Sequence, residues 1–171
     1  MITVRGEKRK DIAVIRDINE KAFGQRQEAD IIDKLRDKCS YFLSLVAEID
    51  GCLVGHILFT PAVIEGEDGS RVEGVGLAPM AVLPQYQKQG VGSALVRAGF
   101  TELEKKGCLF VIVLGHAEYY PRFGFEPASR YGIGSQWDVP EDVFMILMFD
   151  GTKMEGVKGT AKYRPEFDQT V

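Results

Sequence analysis

The chain has 171 residues, 45% of them apolar and 27% charged, with a formal net charge of −4, which fits one domain able to bury about 70% of the surface its unfolded chain exposes. The charges are interspersed and form no basic stripe, which excludes nucleic acid as a main partner. Cys39, Cys52 and Cys108 lack disulfide-framework or metal-ligand spacing, no apolar run approaches a membrane span, and residues 1–7 lack a signal-peptide core, so reduced thiols, no metal and a soluble cytoplasmic protein are expected.

Thr3 to Gly6 predicts a short first strand. Asp11 is a good N-cap for a helix carrying Ile12, Ile15, Ile18, Ala22 and Phe23 on one face, and Ala29, Ile31, Ile32 and Leu35 predict a second, more exposed helix. Ser44 to Ile49 and Cys52 to Ile64 read as strands joined by Asp50-Gly51, a strong type I′ hairpin signal. A second turn, Glu67 to Ser70, leads into a strand over Val72 to Val82, giving a three-strand antiparallel meander.

The next strand must arrive differently. A helix over Ser93 to Lys106, with Ala94, Leu95, Ala98, Gly99 and Leu103 on one stripe, closes at Gly107 and leads to the unbroken apolar run Leu109 to Leu114. Such a run after a crossover helix marks a parallel strand covered on both faces. Glu118 to Phe123 allows a short helix, Gly124 to Pro127 a short strand, and Val143 to Phe149 a final buried one. Residues 1–150 thus read as one α/β (α+β) domain with a mixed central sheet. Residues 151–171, polar and glycine-rich, read as an extended tail on the surface.

The most informative stretch is Leu77 to Lys106. A strand ending at Pro84, a glycine-bearing turn (Gln87-Lys88-Gln89-Gly90-Val91-Gly92) and a helix opening at Ser93 together make an anion site. The first helical turn carries unpaired N–H groups and the positive end of the macrodipole, and the glycines let a phosphate approach the backbone. The turn is neither a P-loop nor a dinucleotide fingerprint. We therefore expect it to hold a pyrophosphate.

About thirty residues later stands Tyr119-Tyr120-Pro121-Arg122-Phe123-Gly124-Phe125. A [Q/R]-x-x-G-x-[G/A] turn on a strand-turn-helix unit followed by Y-x-x-x-G-F resembles the GNAT superfamily of N-acetyltransferases, and Leu77 to Val82 with Pro84 resembles most its YhbS-like branch. The similarity of pattern covers roughly residues 2–149 and implies that superfamily's fold, a mixed sheet with helices on both faces.

The resemblance also implies roles. Gln87, Lys88, Gln89, Gly90, Val91, Gly92 and Ser93 would hold the pyrophosphate of acetyl-CoA as co-substrate. Met80, Ala81 and Val82 would pair their backbone with the pantetheine arm, on a strand broken near Pro79. Tyr120 would stand near the CoA sulfur. Many superfamily members carry an asparagine seven residues before this tyrosine, where this chain has Val113.

Acyl transfer from a thioester needs a neutral amine, a donor to the oxyanion and a proton for the departing thiolate. The Val82 N–H is assigned to the oxyanion and Tyr120 to the thiolate. Glu73, Glu118, His56 and His116 stay open as bases, directly or through water. His56, among residues apolar on both parities, suits the core. Arg122 is open to a carboxylate, phosphate or substrate contact, and Trp137, Asp138, Glu141 and Asp142 lie on a loop suited to border an acceptor site. The expected activity is acetyl-CoA-dependent N-acetylation of a small-molecule or peptide amine through a ternary complex. A non-catalytic acyl-CoA-binding sensor is the alternative, and the final strand or the tail could pair with a second copy as a homodimer.

Overall fold

The computed structural model describes residues 1–170, which hold nine strands and three α-helices. In chain order these are β1 (Ile2–Gly6), α1 (Ile12–Phe23), α2 (Gln27–Lys38), β2 (Leu43–Ile49), β3 (Cys52–Glu65), β4 (Arg71–Val82), α3 (Val91–Lys105), β5 (Phe110–Leu114), β6 (Glu126–Pro127), β7 (Ile133–Ser135), β8 (Phe144–Met148) and β9 (Gly159–Lys162). The strands pair in the order β1-β2-β3-β4-β5-β8-β6, with β9 pairing both β3 and β7. The β2–β3 hairpin, β4 next to β3 and the crossover through α3 into a parallel β5 are present as expected. No helix among the described residues is long and apolar enough to cross a membrane.

Two compact units divide the chain, one of residues 1–59, 78–102 and 166–170, the other of residues 60–77 and 103–165. In the first, β1 and β2 pair antiparallel, as do β2 and the start of β3. The hairpin between β2 and β3 turns on Asp50 and Gly51 at φ of 50° and 78°, both positive as a type I′ turn requires. Ile15 and Ile18 of α1 and Ala29, Ile31, Ile32 and Leu35 of α2 are buried, as their spacing predicts. Asp11 acts differently from the expected cap of α1. Its carboxylate reaches back to the Lys8 N–H (2.7 Å) and takes a bond from Arg5 (2.7 Å), starting a 3₁₀ turn ahead of the helix. The Arg5 guanidinium holds that carboxyl down at about 2.

In the second unit the parallel ladder of β4 with β5 covers Val75–Val111, Gly76–Ile112 and Leu77–Val113. Antiparallel β8 covers the other side of β5, from Phe110–Met148 to Leu114–Phe144. Phe110, Val111, Ile112 and Val113 are buried because neighbours flank the strand and both its faces are covered, which is what an unbroken apolar run signals. The C-terminal stretch departs from the expected surface tail. Residues 159–162 form β9, antiparallel to Val63–Glu65 of β3 and parallel to β7, and Met154, Ala161 and Tyr163 are buried. The end of β3 offers unpaired main-chain groups, and β9 satisfies them.

Candidate active site

The anion turn is built by the first unit. Beyond β4, Pro84–Tyr86 makes a single 3₁₀ turn, and α3 then opens at Val91, two residues before the predicted Ser93. Its first intrahelical bond runs from the Ala94 N–H to the Gly90 carbonyl at 3.0 Å. Helix geometry therefore leaves the N–H groups of Val91, Gly92 and Ser93 without intrahelical acceptors, at the positive end of a fifteen-residue helix.

Two left-handed residues shape the turn ahead of the helix, Lys88 at φ 62° and Gly90 at φ 90°. Alternation of left- and right-handed residues turns successive N–H groups toward one concavity, a main-chain nest for anions. The glutamine side chains do not fill it. Gln87 Nε2 donates to the Val82 carbonyl (3.1 Å) and Gln89 Nε2 to the Gln85 carbonyl (3.1 Å). Gln87, Lys88, Gln89 and Gly90 are exposed, and a Cβ at Gly90 would meet only Ile2 Cδ1, at 4.0 Å. The Gln87 N–H is already directed at the Pro84 carbonyl (3.4 Å), so the open donors run from Lys88 to Ser93.

The end of β4 also sorts its main-chain groups. The Leu83 N–H donates to the Val54 carbonyl of β3 at 2.9 Å. Because successive residues of a strand point to opposite edges, Val82 and Met80 turn their N–H and C=O groups away from β3, and Ala81 turns toward it. Of the three strand residues singled out from sequence, Met80 and Val82 thus present their main-chain groups to the edge away from β3, and Ala81 presents its own to β3. The ladder with β5 ends at Leu77, immediately before Ala78 and Pro79, where a break was expected.

Tyr120 lies in the second unit, on the 3₁₀ turn Tyr120–Phe123, which Gly124 ends at φ 99°. Its side chain is only 8% exposed and packs edge-on against Tyr119 (5.2 Å) and Phe125 (5.6 Å). Burial, with a smaller contribution from the neighbouring Tyr119, pushes the phenol well above its ordinary value. It therefore stays protonated at neutral pH, the form that can donate a hydrogen bond. Among the described residues no carboxylate pairs with Arg122. Its guanidinium lies 4.4 Å from the centre of the Tyr119 ring, and its Nε donates to the Tyr119 carbonyl (2.9 Å).

The candidate bases separate by burial. His116, Glu118 and Glu73 are exposed. His56 is fully buried in the first unit, its Nδ1 accepting from Asn19 (3.2 Å) and its Nε2 facing the Ser44 hydroxyl (2.9 Å), which donates to Glu7, itself paired with Arg36. That chain of donors fixes a neutral imidazole carrying its proton on Nε2. Burial and the positive Arg36 hold its pKa at about 3, so it belongs to the core and not to the chemistry.

The His56 shift has a measurable consequence. Between pH 6.5 and pH 3 the unfolded chain binds a proton that the folded chain refuses, so stability present above pH 6.5 falls as the solution is acidified. From pH 7 to pH 5 this histidine should remove about 2 kcal/mol of stability. Urea unfolding at the two pH values should show that loss, and His56→Gln should flatten it. An unchanged slope in the variant would contradict the assignment.

Cys108 is not an activated thiol. Partial burial raises its pKa, and its Sγ donates to the Phe110 carbonyl (3.3 Å). Sequence reasoning passed over Tyr163, which is buried beneath Trp137 with its hydroxyl on main-chain carbonyls of β4 and β5. Main-chain partners leave no residue pattern to read, although an aromatic in an otherwise polar tail was a signal.

Comparison with known proteins agrees with the motifs. Residues 3–128 match the family model described as an acetyltransferase (GNAT) domain. The chain is 46% identical over 135 residues to the uncharacterized N-acetyltransferase YjhQ of Escherichia coli K12, spanning 77% of this chain and 74% of that protein. It is similar in structure to E. coli YhbS, a GNAT family N-acetyltransferase crystallised with CoA, with a TM-score of 0.88, 30% identity, and coverage of 97% of this chain and 91% of that one. A GNAT family acetyltransferase from Brucella melitensis, in complex with acetyl-CoA, gives a TM-score of 0.79 at 34% identity, covering 98% and 99% of the two chains.

Proposed function

Because the chain belongs to the GNAT family of N-acetyltransferases, we propose that it binds acetyl-CoA and transfers the acetyl group directly to a primary amine within a ternary complex. The observation that carries this reading is the open nest at Lys88–Ser93, whose main-chain donors and helix dipole suit a diphosphate. The CoA-bound E. coli relative and the acetyl-CoA-bound Brucella relative support the same ligand.

In this reading the pyrophosphate accepts from the N–H groups of Lys88 to Ser93, and the pantetheine arm pairs with the outward edge at Met80 and Val82. The neutral amine attacks the thioester carbon, and the Val82 N–H donates to the oxygen as it gains charge. When the C–S bond breaks, the electron pair leaves on sulfur and the Tyr120 hydroxyl supplies the proton. The amine proton passes to water or to one of the exposed groups Glu73, Glu118 or His116, and Tyr120 recovers its proton from solvent. No acetyl-enzyme is formed, in keeping with the protonated Cys108.

The test is thiol release from acetyl-CoA against a panel of small-molecule and peptide amines, followed by initial-rate kinetics with the best acceptor. Intersecting double-reciprocal lines are expected. Parallel lines with a trapped acetyl-cysteine would overturn direct transfer.

A further inference from the structure

The Tyr163 hydroxyl donates to the Leu77 carbonyl at 3.0 Å, with the Ile112 carbonyl at 3.2 Å, and the Leu114 N–H is directed at the phenol oxygen. These are main-chain groups at the last step of the parallel ladder, where Leu77 of β4 pairs with Val113 of β5. In a parallel pair, a carbonyl on one strand accepts from the residue following its partner, so Leu77 and Leu114 are natural counterparts. A side-chain hydroxyl has entered that step.

The ring that delivers this hydroxyl is fixed on three sides. Trp137 stacks on it at 5.5 Å with the planes 29° apart. Gln136 Oε1 accepts the Tyr163 N–H at 2.7 Å. Gly76 lies under it, and a Cβ there would stand 2.5 Å from the ring.

We propose that Tyr163 is a positioning residue for acetyl transfer, its hydroxyl fixing the end of the β4–β5 ladder at Leu114 and thereby the course of β5 into Gly115, which lies against the Tyr120 ring. Trp137 and Gln136 hold it there. The C-terminal segment thus acts on the reaction without touching the reactants. This proposal rests on the acetyltransferase reading given above, since only then does Tyr120 serve the departing thiolate.

Tyr163→Phe in the full chain keeps the ring and removes the hydroxyl. Two readouts follow, and the first is independent of turnover. Amide hydrogen exchange at Leu114 should accelerate by about tenfold or more while Phe110, at the other end of β5, keeps its protection. Unchanged exchange at Leu114 would overturn the proposal. Second, kcat should fall by about tenfold, with KM for acetyl-CoA changing less than about threefold. An unchanged kcat, or a loss confined to KM, would also overturn it.

Should Tyr163→Phe fail to fold, Trp137→Leu frees the ring, and the same two changes are expected, with the same contrary results. If the wild-type chain itself released no thiol with any amine, the acetyltransferase reading would fail. The exchange measurement would still decide whether Tyr163 orders the strand end.

Discussion

Tyr120→Phe is expected to lower kcat about 100-fold when chemistry limits turnover, the scale of one general acid. KM for acetyl-CoA should stay within about threefold, because the hydroxyl is needed when the C–S bond breaks rather than when the ligand binds. The fold should tolerate the change, since the ring keeps its contacts with Tyr119, Phe123 and Phe125. Burial holds the phenol protonated well beyond neutrality, so its ionisation should not shape the rate below about pH 10. An alkaline fall in rate below that pH must come from another group. Stopped-flow detection of thiol in a single turnover isolates the step, and an unchanged rate there would remove Tyr120 from the mechanism.

The second large effect is expected at the anion turn. Gly90 sits at φ 90°, where a β-branched residue is strongly disfavoured. Gly90→Val should force the turn out of its left-handed geometry and carry the neighbouring N–H groups away from the ligand. Hydrogen bonds to a charged group contribute about 1.5–3 kcal/mol each, so losing one should raise the Kd for CoA about 10- to 100-fold. Space is not the obstacle, because Ile2 Cδ1 at 4.0 Å is the nearest atom to the new Cβ. The fold should therefore unfold cooperatively as before, with the damage confined to ligand affinity. Calorimetric titration with CoA measures it, and an unaltered Kd would show that the turn does not hold the ligand.

Features that depend on local chemistry were legible in the sequence. Asp50-Gly51 announced a type I′ hairpin because two adjacent positive φ angles favour those residue types. The run Leu109 to Leu114 announced a covered parallel strand because both faces had to be apolar. The core placement of His56 followed from apolar neighbours on both parities, though its partners Asn19, Ser44 and Glu7 lie too far along the chain to be read together.

Features that depend on distant partners were hidden. The start of α3 was read two residues late because Gly92 is a poor helix former, and tertiary packing of the buried Val91 overrides that preference. The strand β9 has only four residues, and its pairing with β3 spans nearly a hundred positions, from Val63 to Lys162. Asp11 looked like a helix cap because its type suits one. Its use by Arg5 and Lys8 required knowing where β1 runs.

The account stands on the main-chain donors of residues 88–93 gripping the diphosphate of CoA. An amide-resolved NMR titration of the full chain with CoA tests this most directly. The account predicts that the N–H signals of Lys88, Gln89, Gly90, Val91, Gly92 and Ser93 shift most, and that inorganic pyrophosphate moves the same set. Saturation by CoA with those six amides unmoved would contradict it.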